Sequence, residues 1–120
     1  MYVANKSGGG RLKVNILGQE YEIKKQTEIE NPKLKTRRAN GLAELYSKEL
    51  IISTEASKED EETYTNLVDY EKKVIRHEII HAFFHESGLY NYCHDEQLVD
   101  WLALQIPKMY KAMNETDCIG

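Results

Sequence analysis

The sequence predicts an α+β fold: a small antiparallel sheet of two hairpins packed on a motif-bearing helix, with a second helix towards the C-terminus. Three observations predict it. Leu12, Val14 and Ile16 alternate with polar residues, as do Tyr21 and Ile23, which is the period of a half-buried strand. In the second half the apolar residues recur at three and four instead, the period of a helix. Strands that precede helices, rather than alternating with them, suit a sheet with helices on one side.

The elements follow in order. Residues 1–10 read as a flexible lead ending in Gly8-Gly9-Gly10, and residues 11–120 as a single domain. The first hairpin turns through Leu17-Gly18-Gln19-Glu20. Asn31-Pro32 opens a loop that carries the basic cluster Lys33, Lys35, Arg37 and Arg38, read as a solvated surface. Residues 42–46 and 49–53 form a second hairpin about Ser47-Lys48. The acidic run 55–62 suits the N-terminal end of a helix, with Ser57 and Asp60 as a loose capping pair.

Residues 70–87 hold neither Pro nor Gly. Tyr70, Val74, Ile75, Ile79, Ala82 and Phe83 give them one apolar face, and Ile80 and Phe84 add a second, so this helix is expected to be buried on two sides. Gly88 is its left-handed stop, with Leu89 following in a Schellman turn. A second helix runs over 95–113 from an Asp95 cap, with Leu98, Leu102, Ile106, Met109 and Met113 as its stripe and Trp101 and Gln105 at the margin. Pro107 is expected to kink or break it, because it lacks an N–H and crowds the carbonyl of Ala103.

At 120 residues the chain can enclose one core. Its net charge of −4 argues against nonspecific nucleic-acid binding. Two cysteines are too few for a disulfide scaffold. No apolar run approaches a membrane span or a signal sequence, so the expected compartment is the cytoplasm.

Chemistry concentrates at His77-Glu78-Ile79-Ile80-His81, an H-E-x-x-H motif. Residues four apart on a helix stand one above the other, roughly 6 Å along the axis, so two imidazoles can close on one ion. Zinc takes imidazole nitrogen readily and in hydrolytic sites keeps a position for water. Glu78 points about 100° away around the helix, beside the ion, where it can act as general base towards that water.

A third ligand must come from elsewhere. The candidates are His85, His94, Asp95, Glu96, Asp100 and Cys93. His85 lies roughly 12 Å from His77 along a straight helix, too far to share an ion, and reads better as a C-terminal cation facing the helix dipole. The short loop to the second helix favours antiparallel neighbours, which returns the start of that helix towards His81. Glu96 and Asp100, four apart, can then divide the work: one on the ion, the other accepting a hydrogen bond from a ligand imidazole.

H-E-x-x-H followed by E-x-x-x-D resembles the gluzincin metallopeptidases. The surroundings are similar to the small phage- and prophage-encoded zincins and to the peptidase domain of the ImmA/IrrE family, whose members cut repressor proteins. Ile79 and Ile80 stand where many of that family carry Gly and a small residue. The resemblance implies a Zn2+ ion held by His77, His81 and Glu96, with Glu78 as general base and Asp100 behind a ligand. It also implies a peptide or protein substrate, in the ImmA-like case a regulatory protein. An oxyanion needs a further donor, and Tyr90, Tyr92 and His94 on the inter-helix loop are the candidates. A peptide is expected to add to a strand edge within 42–53. The alternative is a non-enzymatic, metal-stabilised module of the same shape that binds a protein partner. Glu78 weighs against that alternative, because holding zinc does not require it.

Overall fold

The computed structural model describes residues 11–55 and 67–120. The expected lead and most of the acidic run, with its Ser57 and Asp60 pair, lie outside the described residues. Strands β1 (Arg11–Ile16) and β2 (Gln19–Gln26) make the first hairpin. Its turn is Leu17-Gly18, both at positive φ, and the Asn15 side chain accepts the Gly18 N–H. Two left-handed residues in succession match the twist of the strands they join. A single helical turn, α1 (Pro32–Thr36), then forms within the basic loop. Asn31 caps it through the Lys33 N–H, and Pro sits in its first turn, where a missing N–H costs nothing. Strands β3 (Gly41–Glu44) and β4 (Glu49–Ser53) complete the second hairpin.

The hairpins join by a parallel pairing of β2 with β4, giving the order β1-β2-β4-β3. The sheet is therefore mixed, where two hairpins alone suggest an antiparallel one. Burial explains the arrangement. Leu50, Ile51 and Ile52 are all buried, so β4 has an apolar side chain for each face and belongs inside the sheet. Leu34 carries the chain across one face by packing on Leu42 and Ile51, and β3 is left as the edge.

The other face of the sheet receives α2 (Leu67–Glu86). Tyr21, Ile23, Leu50 and Ile52 pack there with Val74 and Ala82. The opposite side of α2 packs through Ile80 on Val99 and Ala103 of α4 (Glu96–Glu115), so the helix is buried on both expected sides. A short turn of helix, α3 (Tyr90–Cys93), occupies the loop between them. Among the described residues no helix is long and apolar enough to cross a membrane.

Two departures on α4 both arise where it meets α2. The contact centres on Val99 and Ala103 and not on the Leu98–Met113 stripe; Ile106 and Met113 are exposed. A small residue at the contact lets two helices approach closely, and the bulkier stripe residues fall to the flank. Pro107 does not break the helix, which runs through it to Glu115. The Ala103 carbonyl, deprived of its i+4 N–H by Pro107, accepts instead from Arg76 Nε on α2 at 2.7 Å. Burial holds the Arg76 guanidinium below its ordinary pKa.

The far end of α2 is tied to the sheet. Tyr21 donates its hydroxyl to Glu86 Oε2 at 2.5 Å, and Lys48 Nζ reaches the same oxygen at 2.6 Å. These bonds, that from Lys48 foremost, hold the Glu86 carboxyl below its usual range, and burial pushes the Tyr21 hydroxyl up.

Arg76→Met removes the donor and leaves a buried carbonyl unpaired, which should lower the unfolding free energy by about 1–3 kcal/mol. Pro107→Ala restores an N–H to that carbonyl, so Arg76→Met should cost less in its background. Urea denaturation of wild type, both single variants and the double variant measures the coupling. An equal cost in both backgrounds would show that the Arg76 link does not compensate for the proline.

Candidate metal centre

The site is assembled from α2, the turn after it and the first turn of α4. His77 and His81 meet edge to face at helical spacing, with ring centroids 4.9 Å apart. After Glu86 the chain reverses in a Schellman turn: Gly88, at φ 78, donates to the His85 carbonyl, and Leu89 donates to that of Phe84. One helical turn later Asp95 caps α4 by accepting the Leu98 N–H at 3.0 Å. Glu96 is thereby fixed as the first residue of that helix, facing back towards α2.

Three side chains converge. His77 Nε2 lies 3.0 Å from one Glu96 carboxylate oxygen and His81 Nε2 lies 2.9 Å from the other. The two Nε2 atoms are 3.2 Å apart. The other ring nitrogens face partners of their own. His81 Nδ1 is 2.5 Å from the Cys93 carbonyl, which can only accept, so Nδ1 carries a proton, and in the neutral ring Nε2 is left with its lone pair. Asp100 Oδ1 stands 3.5 Å from His77 Nδ1 and 3.0 Å from Lys73 Nζ.

The donor set suits a small divalent cation. Among the described residues His77, His81 and Glu96 form the one group whose donor atoms are gathered this way. A tetrahedral zinc with ligands at about 2.0–2.1 Å spaces its donors about 3.3 Å apart, slightly wider than the separations here. Burial holds His81 below its ordinary pKa, which favours the neutral, ligating form. Glu96 is the open side of the site, with its side chain 70% exposed while those of His77 and His81 are 17% and 10%.

Glu78 is nearly covered, at 5% exposure, between α2 and β3. Burial, and secondarily the charge of Glu96, push its carboxyl up to about 8. A divalent cation at the adjacent donors would favour the carboxylate again. Gly41 of β3 makes room for this side chain: a Cβ there would sit 2.6 Å from Glu78 Oε2 and 2.8 Å from Val74 Cγ1. Beside the centre a groove of about 430 Å³ follows β3, lined by Gly41, Ala43, His77, Glu78, His94 and Arg38 among others. It continues past Asn40, Tyr70 and Lys73, and the Asn40 side-chain amide bonds the Tyr70 hydroxyl.

The structure thus brings together His77, Glu78, His81, Glu96 and Asp100. Of the three oxyanion candidates, His94 alone lines the groove. Tyr90 and Tyr92 do not: α3 turns them towards the end of α2, where Tyr90 meets His85 and Tyr92 meets Phe84, over a separate hollow. His85 takes no part in the donor cluster and packs between Tyr46 and Tyr90. Cys93 contributes its carbonyl; its thiol is buried and contacts the His81 carbonyl at 3.3 Å. Sequence reasoning missed Gly41, the Cys93 carbonyl and the two arginines of the groove. A glycine opening a strand was the one local signal, and it reads equally as a turn. No protein-family model, curated protein or solved structure matches the chain.

The chain purified without chelators or a His tag should hold one zinc, measured by mass spectrometry. His77→Ala, His81→Ala and Glu96→Ala should each greatly weaken zinc binding, and His85→Ala should not. Asp100→Ala should weaken it by about 10–100-fold or less, as loss of a carboxylate beside a ligand imidazole does. A folded wild type that stays metal-free in excess zinc would remove the metal centre.

Proposed function

We propose that this protein is a zinc-dependent peptidase of gluzincin type. The observation that carries the reading is the convergence of two imidazoles and a carboxylate with a second, buried carboxylate alongside, at the wall of a groove that follows an edge strand. A bound zinc would supply Lewis acidity for the scissile carbonyl and activate water near neutral pH. The chain's own residues do the rest. Glu78 takes the proton of the attacking water and delivers it to the leaving amine. Asp100 and the Cys93 carbonyl hold the imidazoles in register. His94, which lines the groove, is the loop residue proposed to assist an oxyanion.

Strand β3 is the proposed docking edge. Asn40 accepts the Ser53 N–H, so the alternation of an antiparallel ladder turns the backbone groups of Gly41 and Ala43 outward. An extended peptide can pair with them and cross in front of Glu78. The substrate is proposed to be a protein, in line with the ImmA/IrrE resemblance a regulatory one, and the compartment the cytoplasm.

Glu78→Gln should separate binding from chemistry. It keeps the shape, so zinc stays, while hydrolysis should fall by about 10²–10⁴-fold. Gly41→Ala should also retain zinc and lose activity, because the added methyl displaces the Glu78 carboxylate. The assay compares wild type and each variant on a cell-extract cleavage screen with zinc content measured in parallel. Zinc in wild type and in Glu78→Gln, with cleavage by neither, would favour the non-enzymatic binding module. Equal cleavage by both would remove Glu78 as the base.

A further inference from the structure

We propose that the groove selects acidic peptide segments, and that Arg37 and Arg38 read their carboxylates on one side of the metal centre. The proposal deepens the peptidase reading, since it names the substrate class of that same site. Both arginines line the groove that holds His77, Glu78 and His81. Their backbone is pinned. Arg37 closes α1 by donating to the Lys33 carbonyl, and Arg38 takes a left-handed conformation at φ 50 and donates to Lys35. Ala39 then donates to the carbonyl of Leu34, which is fully buried between α1 and the sheet. A non-glycine residue at positive φ is unfavourable unless its surroundings hold it there, and here the turn does so.

Among the described residues their charges are uncommitted. Lys33 is paired with Glu44, Lys73 with Asp100 and Lys48 with Glu86. Arg37 and Arg38 are exposed, and neither has an acid partner among the described residues. A guanidinium presents a planar fork of donors that fits a carboxylate with two parallel hydrogen bonds. The pair stands out in a chain of net charge −4. The adjoining hollow at Asn40, Tyr70 and Lys73 offers no unpaired cation among the described residues, because Lys73 is held by Asp100. Acid selection is therefore one-sided. The occupant is a peptide and not a nucleic acid for two reasons. The open edge of β3 offers main-chain pairing that only a polypeptide matches. Two cations on an acidic protein neutralise too little of a phosphate backbone.

The test uses the full chain, zinc-loaded and carrying Glu78→Gln so that nothing is cut. The probes are a fluorescein-labelled peptide of alternating Glu and Ala and its Gln counterpart, read by fluorescence anisotropy at low ionic strength. The Glu peptide should bind at least about tenfold more tightly, the margin of charge-assisted hydrogen bonds. Arg37→Gln with Arg38→Gln should abolish that margin with zinc content unchanged. Lys108→Gln with Lys111→Gln, the same charge removed from α4 outside the groove, should leave it intact. Equal binding of the two peptides overturns the proposal. So does a preference that survives in the double arginine variant, which would assign it to the zinc itself, or one lost equally in the lysine control, which would assign it to net charge. Displacement of the peptide by a short oligothymidylate at lower concentration than by unlabelled Glu peptide overturns it in favour of nucleic acid. Because binding is read without hydrolysis, an inactive wild type would sink the peptidase reading and leave this result standing by itself.

Discussion

Two imidazole nitrogens 3.2 Å apart, both facing one carboxylate, are the constraint on which the arrangement turns. The Cys93 carbonyl holds a proton of His81 on Nδ1, so in the neutral ring the lone pair of Nε2 points into the cluster. Three electron-rich groups so close repel one another unless positive charge, from a proton or a metal, lies between them. Isolated helices would relax by rotating the rings apart. Here the backbones that carry them are held in place, because α2 is packed on the sheet with one face and on α4 with the other. The Schellman turn at Gly88 and the Asp95 cap then fix where the carboxylate arrives. Packing thus keeps together groups that call for a positive charge between them, which is common at functional sites.

The sheet shapes the other half of the site. Strand β3 passes close enough to α2 that Gly41 alone fits against Glu78. That closeness buries the carboxyl and pushes its pKa to about 8, and the same strand offers its free edge beside it. One element therefore sets both the protonation of the proposed base and the path of a peptide past it. The core beneath β3, built on Leu34, Leu42 and Ile51, positions the arginines as well, because the turn that exposes them is anchored by Leu34.

Most of the local structure was legible in the sequence because its signals are local. The hairpin at Gly18, the helix stop at Gly88, the cap at Asp95 and the double-faced motif helix all stand where spacing puts them. The convergence of Glu96 on the histidines was legible for the same reason: a short loop returns the chain. What was not legible depends on partners distant in sequence. Nothing in two hairpins says that β2 will pair parallel with β4. Nothing in a period of 3.6 says that Ala103, the smallest residue available, will sit at the helix contact instead of its bulkier neighbours. Tyr90 and Tyr92 lie on the predicted loop, yet a single turn of α3 faces them away from the groove. The basic cluster reads as solvated because sequence alone does not show that α1 sets two of its members at the mouth of the site.

The link between Arg76 and Ala103 has a meaning beyond helix continuity. Packed helices can slip past each other by a whole turn, about 5.4 Å, while keeping much of their apolar contact. Apolar contact among Ile80, Val99 and Ala103 is not directional and does not by itself mark one register. Within an intact helix every interior carbonyl is already occupied, and none marks one position along the axis from another. Pro107 leaves one vacant, and Arg76 finds that one. The residue expected to interrupt α4 therefore acts as an index mark for its axial position. Displaced by a turn, Glu96 would be carried past the imidazoles, and the three donors would no longer meet.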